Sequence, residues 1–213
     1  MAATLLELWA QGDFLRHLSV TLAAATWGLG LGVAAGGALG LAAALTPAVA
    51  DVLEPAMLVL NAVPRVILAP LFVIWFGIGL ASKVALSVVL VAVLFFFAVY
   101  TGVQEVPRSA VERIRTLGGS RAVLLREVYL PSVTAQMLGQ LKVAVGFAFT
   151  GAVVGEFVAA SRGLGYLLAF AQSTYNARLT LAIILVVVSF VAAFFALLRR
   201  LERRLLAWRA PHG

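Results

Sequence analysis

Three charged side chains interrupt segments that are otherwise hydrocarbon: Arg65, Lys142 and Glu156. Lys142 and Glu156 stand fourteen residues apart in one apolar run, roughly 21 Å along a helix. They are too distant to pair, yet the spacing returns them to nearly the same face, with Gly146 close to it. A polar edge on an apolar helix reads as a water-lined or interhelical surface; for Lys142 the alternative is an interfacial anchor. Arg65 follows Asn61-Ala-Val-Pro64. Pro64 has no N–H and disfavours helix at Val63, so a kink or break is expected there. Freed carbonyls at membrane depth need protein or water around them, and Arg65 should face a cavity or a partner, or else pair with backbone carbonyls. Asn61, Pro64, Arg65, Lys142 and Glu156 are the candidate translocation route. No catalytic or metal chemistry is expected. His17 and His212 lie near opposite ends and cysteine is absent. Lys83 follows Ser82 and Lys142 follows Leu141, so there is no Gly-Lys-Ser/Thr phosphate loop and the chain does not hydrolyse ATP itself.

A second constellation is the polar stretch Glu105–Pro131, EVPRSAVERIRTLGGSRAVLLREVYLP. Ser109-Ala-Val-Glu112 after Pro107 has the spacing of a capping box. Helix is expected through Leu117, with Gly118-Gly119 as its left-handed stop. Ser120 is placed to cap a second short helix ending before Pro131, which restricts Leu130. Ala110, Ile114 and Leu117 form one apolar strip flanked by Arg113 and Arg115. An amphipathic helix of this kind, held outside the membrane, suits a groove in another protein.

The elements that must carry these groups are membrane spans. The 213-residue chain is 63% hydrophobic with a mean hydropathy of +1.06, far above a soluble domain. About five apolar runs have the length needed to cross a bilayer, near 18–45, 55–76, 82–103, 133–158 and 178–198. The fold class is all-α, a polytopic transmembrane helical bundle in one domain over 1–213. The net charge of +7 sits in loops and at the C-terminus, which excludes a nucleic-acid footprint. Arg108, Arg113, Arg115, Arg121 and Arg126 after the third span, and Arg199, Arg200, Arg203, Arg204 and Arg209 after the fifth, place both regions in the cytoplasm. The N-terminus then lies outside. It lacks the basic start of a signal peptide; Leu5, Leu6, Trp9 and Phe14 suggest a short amphipathic helix on the membrane surface, or a plain lead-in. Gly28, Gly32, Gly36 and Gly40 recur every four residues in the first span. Such a stripe lets another helix approach closely, within the subunit or between two copies.

The loop resembles the signature of the membrane subunits of binding-protein-dependent ATP-binding-cassette importers: a Glu-Ala-Ala triplet, a Gly after three more residues, and a hydrophobic–X–Leu–Pro close. Glu112, Gly118 and Val128-Tyr129-Leu130-Pro131 match, while Arg113 and Ile114 replace the two alanines. Val63-Pro-Arg-Val-Ile-Leu-Ala-Pro-Leu-Phe-Val-Ile-Trp-Phe-Gly77 with Ser82-Lys83, and Gly155-Glu156 with Gly163-Leu-Gly-Tyr-Leu167, are similar to the nitrate/sulfonate/taurine branch. The resemblance covers nearly the whole chain. It implies a bacterial plasma (inner) membrane permease whose loop helix, comprising Ser109, Ala110, Glu112, Arg113, Ile114, Arg115, Leu117, Gly118 and Gly119 with Leu130 and Pro131 at the loop's close, couples to the ATPase. It further implies two permease copies in membrane lipid, two ATPase subunits that bind the ATP and Mg, and a periplasmic or lipid-anchored solute-binding protein. The cargo would be a small anion or polar organic molecule. Such subunits usually have six spans; the first has no counterpart in the five read here. The alternative is an ion-gradient-driven secondary transporter or channel with Lys142 and Glu156 as relay groups.

Overall fold

A computed structural model describes residues 13–205, apart from the side chains of Asp13, Arg65, Arg121, Ala135 and residues 197–205. The expected surface helix at Leu5, Leu6 and Trp9, and the positions Arg209 and His212, lie outside the described residues, as do the side chains of Arg199, Arg200, Arg203 and Arg204. Every element among the described residues is helical: α1 (Asp13–Leu45), α2 (Pro47–Ala62), α3 (Arg65–Phe76), α4 (Leu80–Gln104), α5 (Arg108–Thr116), α6 (Arg121–Leu124), α7 (Leu130–Val158), α8 (Leu164–Ser173) and α9 (Ala177–Leu205).

The core forms where α4 lies between α1 and α7. Ala24 and Ala25 from α1, Val91 and Phe95 from α4, and Ala144, Val145, Ala148, Phe149 and Ala152 from α7 are buried together. Small residues on the two outer helices bring their backbones close to α4, as membrane helices require when apolar burial gives them no net drive to associate. The glycine stripe of α1 faces α4. A Cβ at Gly28 would lie 2.1 Å from Ser87 Cβ, at Gly36 2.2 Å from the Ala92 carbonyl, and at Gly40 2.5 Å from the Phe96 carbonyl. Gly32 meets Val91 in the same way. The seam is therefore within the chain. A second seam, not read from the sequence, runs along α7: a Cβ at Gly151 would lie 2.6 Å from Ser87 Cα. Ser87 thus sits between two helices without side chains at the contact, and its hydroxyl donates to the Ala148 carbonyl at 2.9 Å.

The order of these contacts fixes the directions. Position along α1 and α4 rises together, from Gly28 on Ser87 to Gly40 on Phe96, so these helices run parallel. Gly155 lies on Lys83, Gly151 on Ser87, and Gly102 on Gln136, so α7 is antiparallel to both. Between α1 and α4 the chain must return across the bundle, and α2 with α3 make that passage. The break expected near Asn61–Pro64 is present, and the apolar run starts at Pro47, earlier than the expected 55. Helix starts at Pro47 with Pro55 inside it, breaks at Val63 and Pro64 (ψ 129° and 118°), and resumes at Arg65 with the two pieces bent by 109°. Pro64 supplies no donor and holds Val63 extended, the cause anticipated. Four helices are individually long and apolar enough to cross a membrane, or five crossings with this bent pair as one.

Candidate functional site

Two regions at opposite ends of the bundle carry the polar groups. At the end reached by α4, Pro107 (φ −58°, ψ 130°) stands at the N-cap position of α5, and its carbonyl accepts the N–H groups of Ala110 and Val111 at 3.0 and 3.4 Å. The expected Ser109–Glu112 capping box is not formed. Helix starts at Arg108, one residue before Ser109, so Ser109 is already inside the first turn, and no side chain caps the N-terminus. The other end is built as anticipated: Gly119 N–H donates to the Ile114 carbonyl at 2.9 Å and Gly118 N–H to that of Arg115 at 3.0 Å. With Gly118 at φ +75°, this is a Schellman motif. The backbone N–H of Val123 then donates to Ser120 Oγ at 3.4 Å, a long cap for α6.

Instead of ending before Pro131, α6 passes through a π-helical turn, Leu125–Tyr129, directly into α7. Leu130 N–H donates to the Leu125 carbonyl, five residues back, and Leu130 keeps helical angles (φ −58°, ψ −45°) despite preceding a proline. A regular helix would bring the Pro131 ring against the carbonyl four residues earlier; the wider π turn relieves that contact.

The faces of α5 are unequal. Ala110, Val111 and Ile114 are half-buried, whereas Ser109, Glu112, Arg113, Arg115 and Thr116 are exposed. Leu117, at the end of the apolar strip, is 78% exposed. Beside α5 lies a cleft of about 540 Å³ bounded by Leu45, Thr46, Arg115, Leu125 and Tyr129. The strip is therefore divided: two of its residues turn partly inward and the third is offered to the surroundings.

The opposite end holds a buried polar knot. Glu156, near the end of α7, is only 1% exposed. Thr21 Oγ1 of α1 is 2.8 and 3.0 Å from its two carboxylate oxygens and donates to them, and the Gly165 N–H donates to Oε2 at 3.0 Å. Thr21 Oγ1 accepts the Leu164 N–H at 2.9 Å, and His17 Nδ1 accepts the Gly163 N–H at 3.0 Å. Lys83 of α4, itself buried, donates to the Arg162 carbonyl at 3.4 Å. The His17 ring stacks on Tyr166 with centroids 5.8 Å apart.

Of the two surfaces expected for Glu156, water-lined or interhelical, the structure has the interhelical one. Glu156 is enclosed by α1 and α8, and Lys142 is half-buried further along α7, beyond the open Gly146. Asn61 and Pro64 are exposed at the α2–α3 break; the Arg65 side chain lies outside the described part. Sequence reasoning missed Thr21 as the partner of Glu156, missed His17 and Lys83 as partners of the Gly163 and Arg162 backbone, and missed α8 as a helix. No local spacing links them, because Thr21 and Glu156 are 135 residues apart. Among the described residues no group of His, Cys, Asp and Glu could hold a metal ion.

An apolar bundle with four or five helical crossings has the architecture of a multi-pass membrane protein. Residues 28–207 match the family of binding-protein-dependent transport system inner membrane components. The chain belongs to that family, as a membrane subunit of an ATP-binding-cassette importer. It is 33% identical over 199 residues, 93% of its length and 71% of the relative's, to the taurine transport permease of Escherichia coli. It is 32% identical over 196 residues, 92% and 78% of the two lengths, to the formylaminopyrimidine transport permease of Halalkalibacterium halodurans. An inward-facing structure of a methionine ABC transporter shares the fold with a TM-score of 0.80 at 19% identity, over 92% of this chain and 97% of that one.

Proposed function

We propose that this chain forms the translocation route for a small anionic or polar organic solute, handed over by a solute-binding protein and driven by ATPase subunits that bind the ATP and Mg. The observation that carries this reading is α5, a helix closed at its C-terminus by a Schellman motif with Leu117 and its arginines facing outward. A helix so terminated resists fraying and transmits displacement as a rod. Two copies of the chain would enclose the route, with the exposed α2–α3 break and Arg65 as its candidate lining. The excess of arginine in the loop 105–131 and after the last span supports reading both as cytoplasmic. The relatives named for taurine and for formylaminopyrimidine transport support a polar organic cargo, and a relative named for riboflavin transport leaves its size open.

The test is reconstitution in proteoliposomes with the ATPase and binding protein, measuring ATP-driven uptake of labelled taurine, nitrate and formylaminopyrimidine. Gly118→Pro, which denies the left-handed stop, should lower uptake at least about tenfold, a barrier change of about 1.4 kcal/mol, together with substrate-stimulated ATPase. Full rates of both would contradict the lever role. Uptake driven by an ion gradient with no ATPase present would favour a secondary transporter instead.

A further inference from the structure

The three backbone N–H groups that open α8, those of Gly163, Leu164 and Gly165, all donate to side chains of other helices: His17 Nδ1, Thr21 Oγ1 and Glu156 Oε2. Helix starts ordinarily obtain such an acceptor from their own N-cap residue. Gly163 stands at that position and has no side chain, so the acceptors come from α1 and α7. Lys83 adds a tie from α4 to the connection just before. The fit is close. A Cβ at Gly163, where φ is +124°, would lie 2.1 Å from Glu156 Cδ, and one at Gly165 2.2 Å from the Val153 carbonyl.

We propose that Glu156 is a positioning residue: its carboxylate, through Thr21 and the start of α8, locks the ends of α1, α4, α7 and α8 into one body that moves without internal rearrangement during transport. The inference rests on the transport reading above. Withdrawing α8 would strand a carboxylate and several N–H groups in apolar surroundings, which is costly when partners are lost. The knot is therefore formed or broken as a whole, as packed polar elements with discrete arrangements are. A displacement entering at the α5 end then arrives at the far end as movement of the whole unit, not as loosening of α8. The hydrogen-bonding shape of residue 156 does this work, since a carboxamide offers the same acceptor to Gly165 N–H and a donor to Thr21 Oγ1.

The test uses the complete transporter in proteoliposomes, with uptake per ATP hydrolysed as the first readout. Wild-type uptake must first be ATP-driven; if it is not, the transport reading fails and the lock is not at issue. Given that, Glu156→Ala and Thr21→Val are expected to lower uptake per ATP at least fivefold per folded complex, while Glu156→Gln recovers it to within twofold of wild type. Unchanged stoichiometry in both disruptive variants, or Glu156→Gln as defective as Glu156→Ala, would overturn the proposal. A wild-type background keeps it testable if the variants do not fold. The chain contains no cysteine, so spin labels at the exposed positions Leu15 and Phe170 report the α1–α8 separation, with singly labelled chains identifying the distances between the two copies. That separation should be the same in nucleotide-free and ATP-bound states; a change of a helical turn, about 5 Å, would overturn the lock.

Discussion

Two glycines with positive φ stand at opposite ends of this subunit and show how differently its ends are built. Gly163 (φ +124°) lies against the Glu156 carboxylate, whereas at Gly118 (φ +75°) a Cβ would meet nothing within 4 Å beyond its own chain neighbours. The first is required by crowding and by dihedral angle, the second by dihedral angle alone. The same contrast runs through the charges around them. Glu156 and Lys83 are buried and engaged with groups from other helices, while Glu112, Arg113 and Arg115 are exposed on α5. One end spends its polar groups on holding itself together. The other keeps its own shape by local backbone bonds and presents its side chains outward, which is what a surface for a partner requires.

Substitutions at the two glycines should separate the ends. Gly163→Ala carries both a dihedral penalty and a collision with a carboxylate that cannot retreat, and should destabilise the purified subunit by about 3 kcal/mol or more, read as lowered thermal stability in detergent. Equal stability would mean that the knot is looser than its distances imply. Gly118→Ala meets only the left-handed backbone penalty, about 1–2 kcal/mol, confined to α5 and its turn. It should leave the thermal transition of the bundle nearly in place while weakening ATP-driven uptake; a global loss of stability equal to that of Gly163→Ala would erase the distinction. Smallest of all is Glu127→Ala, which removes a pair with Arg126 whose nitrogen and oxygen are 3.9 Å apart on the surface. Such a pair contributes less than about 1 kcal/mol, and no change in thermal stability or uptake beyond measurement error is expected.

Legibility in the sequence followed the range of the interactions. Spans were readable because a run of apolar residues is a local signal, and the four-residue recurrence of Gly28 to Gly40 marked a close-packing face before any partner was known. The Gly118-Gly119 stop was equally local. The N-terminus of α5 was misassigned because Ser109 and Glu112 have capping-box spacing, yet Pro107 already fixed the start of helix one residue ahead of Ser109. Pro131 was read as a terminator, although a π turn lets the helix continue through it. Glu156 stands out as an intramembrane charge, but its role does not, since Thr21 and Gly165 reach it only through tertiary packing. The ten-residue α8 is too short to announce itself as a span and takes its start from side chains on other helices.

The central claim is that the α5 end, and not the knot end, receives the ATPase. With no native cysteine, Leu117→Cys and Tyr175→Cys, at two exposed positions, place one thiol at each end. The decisive measurement is their maleimide labelling rate in membranes with and without the ATPase subunits. The account predicts that assembly protects the thiol at position 117 at least tenfold and leaves that at 175 unchanged; equal labelling of position 117 in both conditions would contradict it.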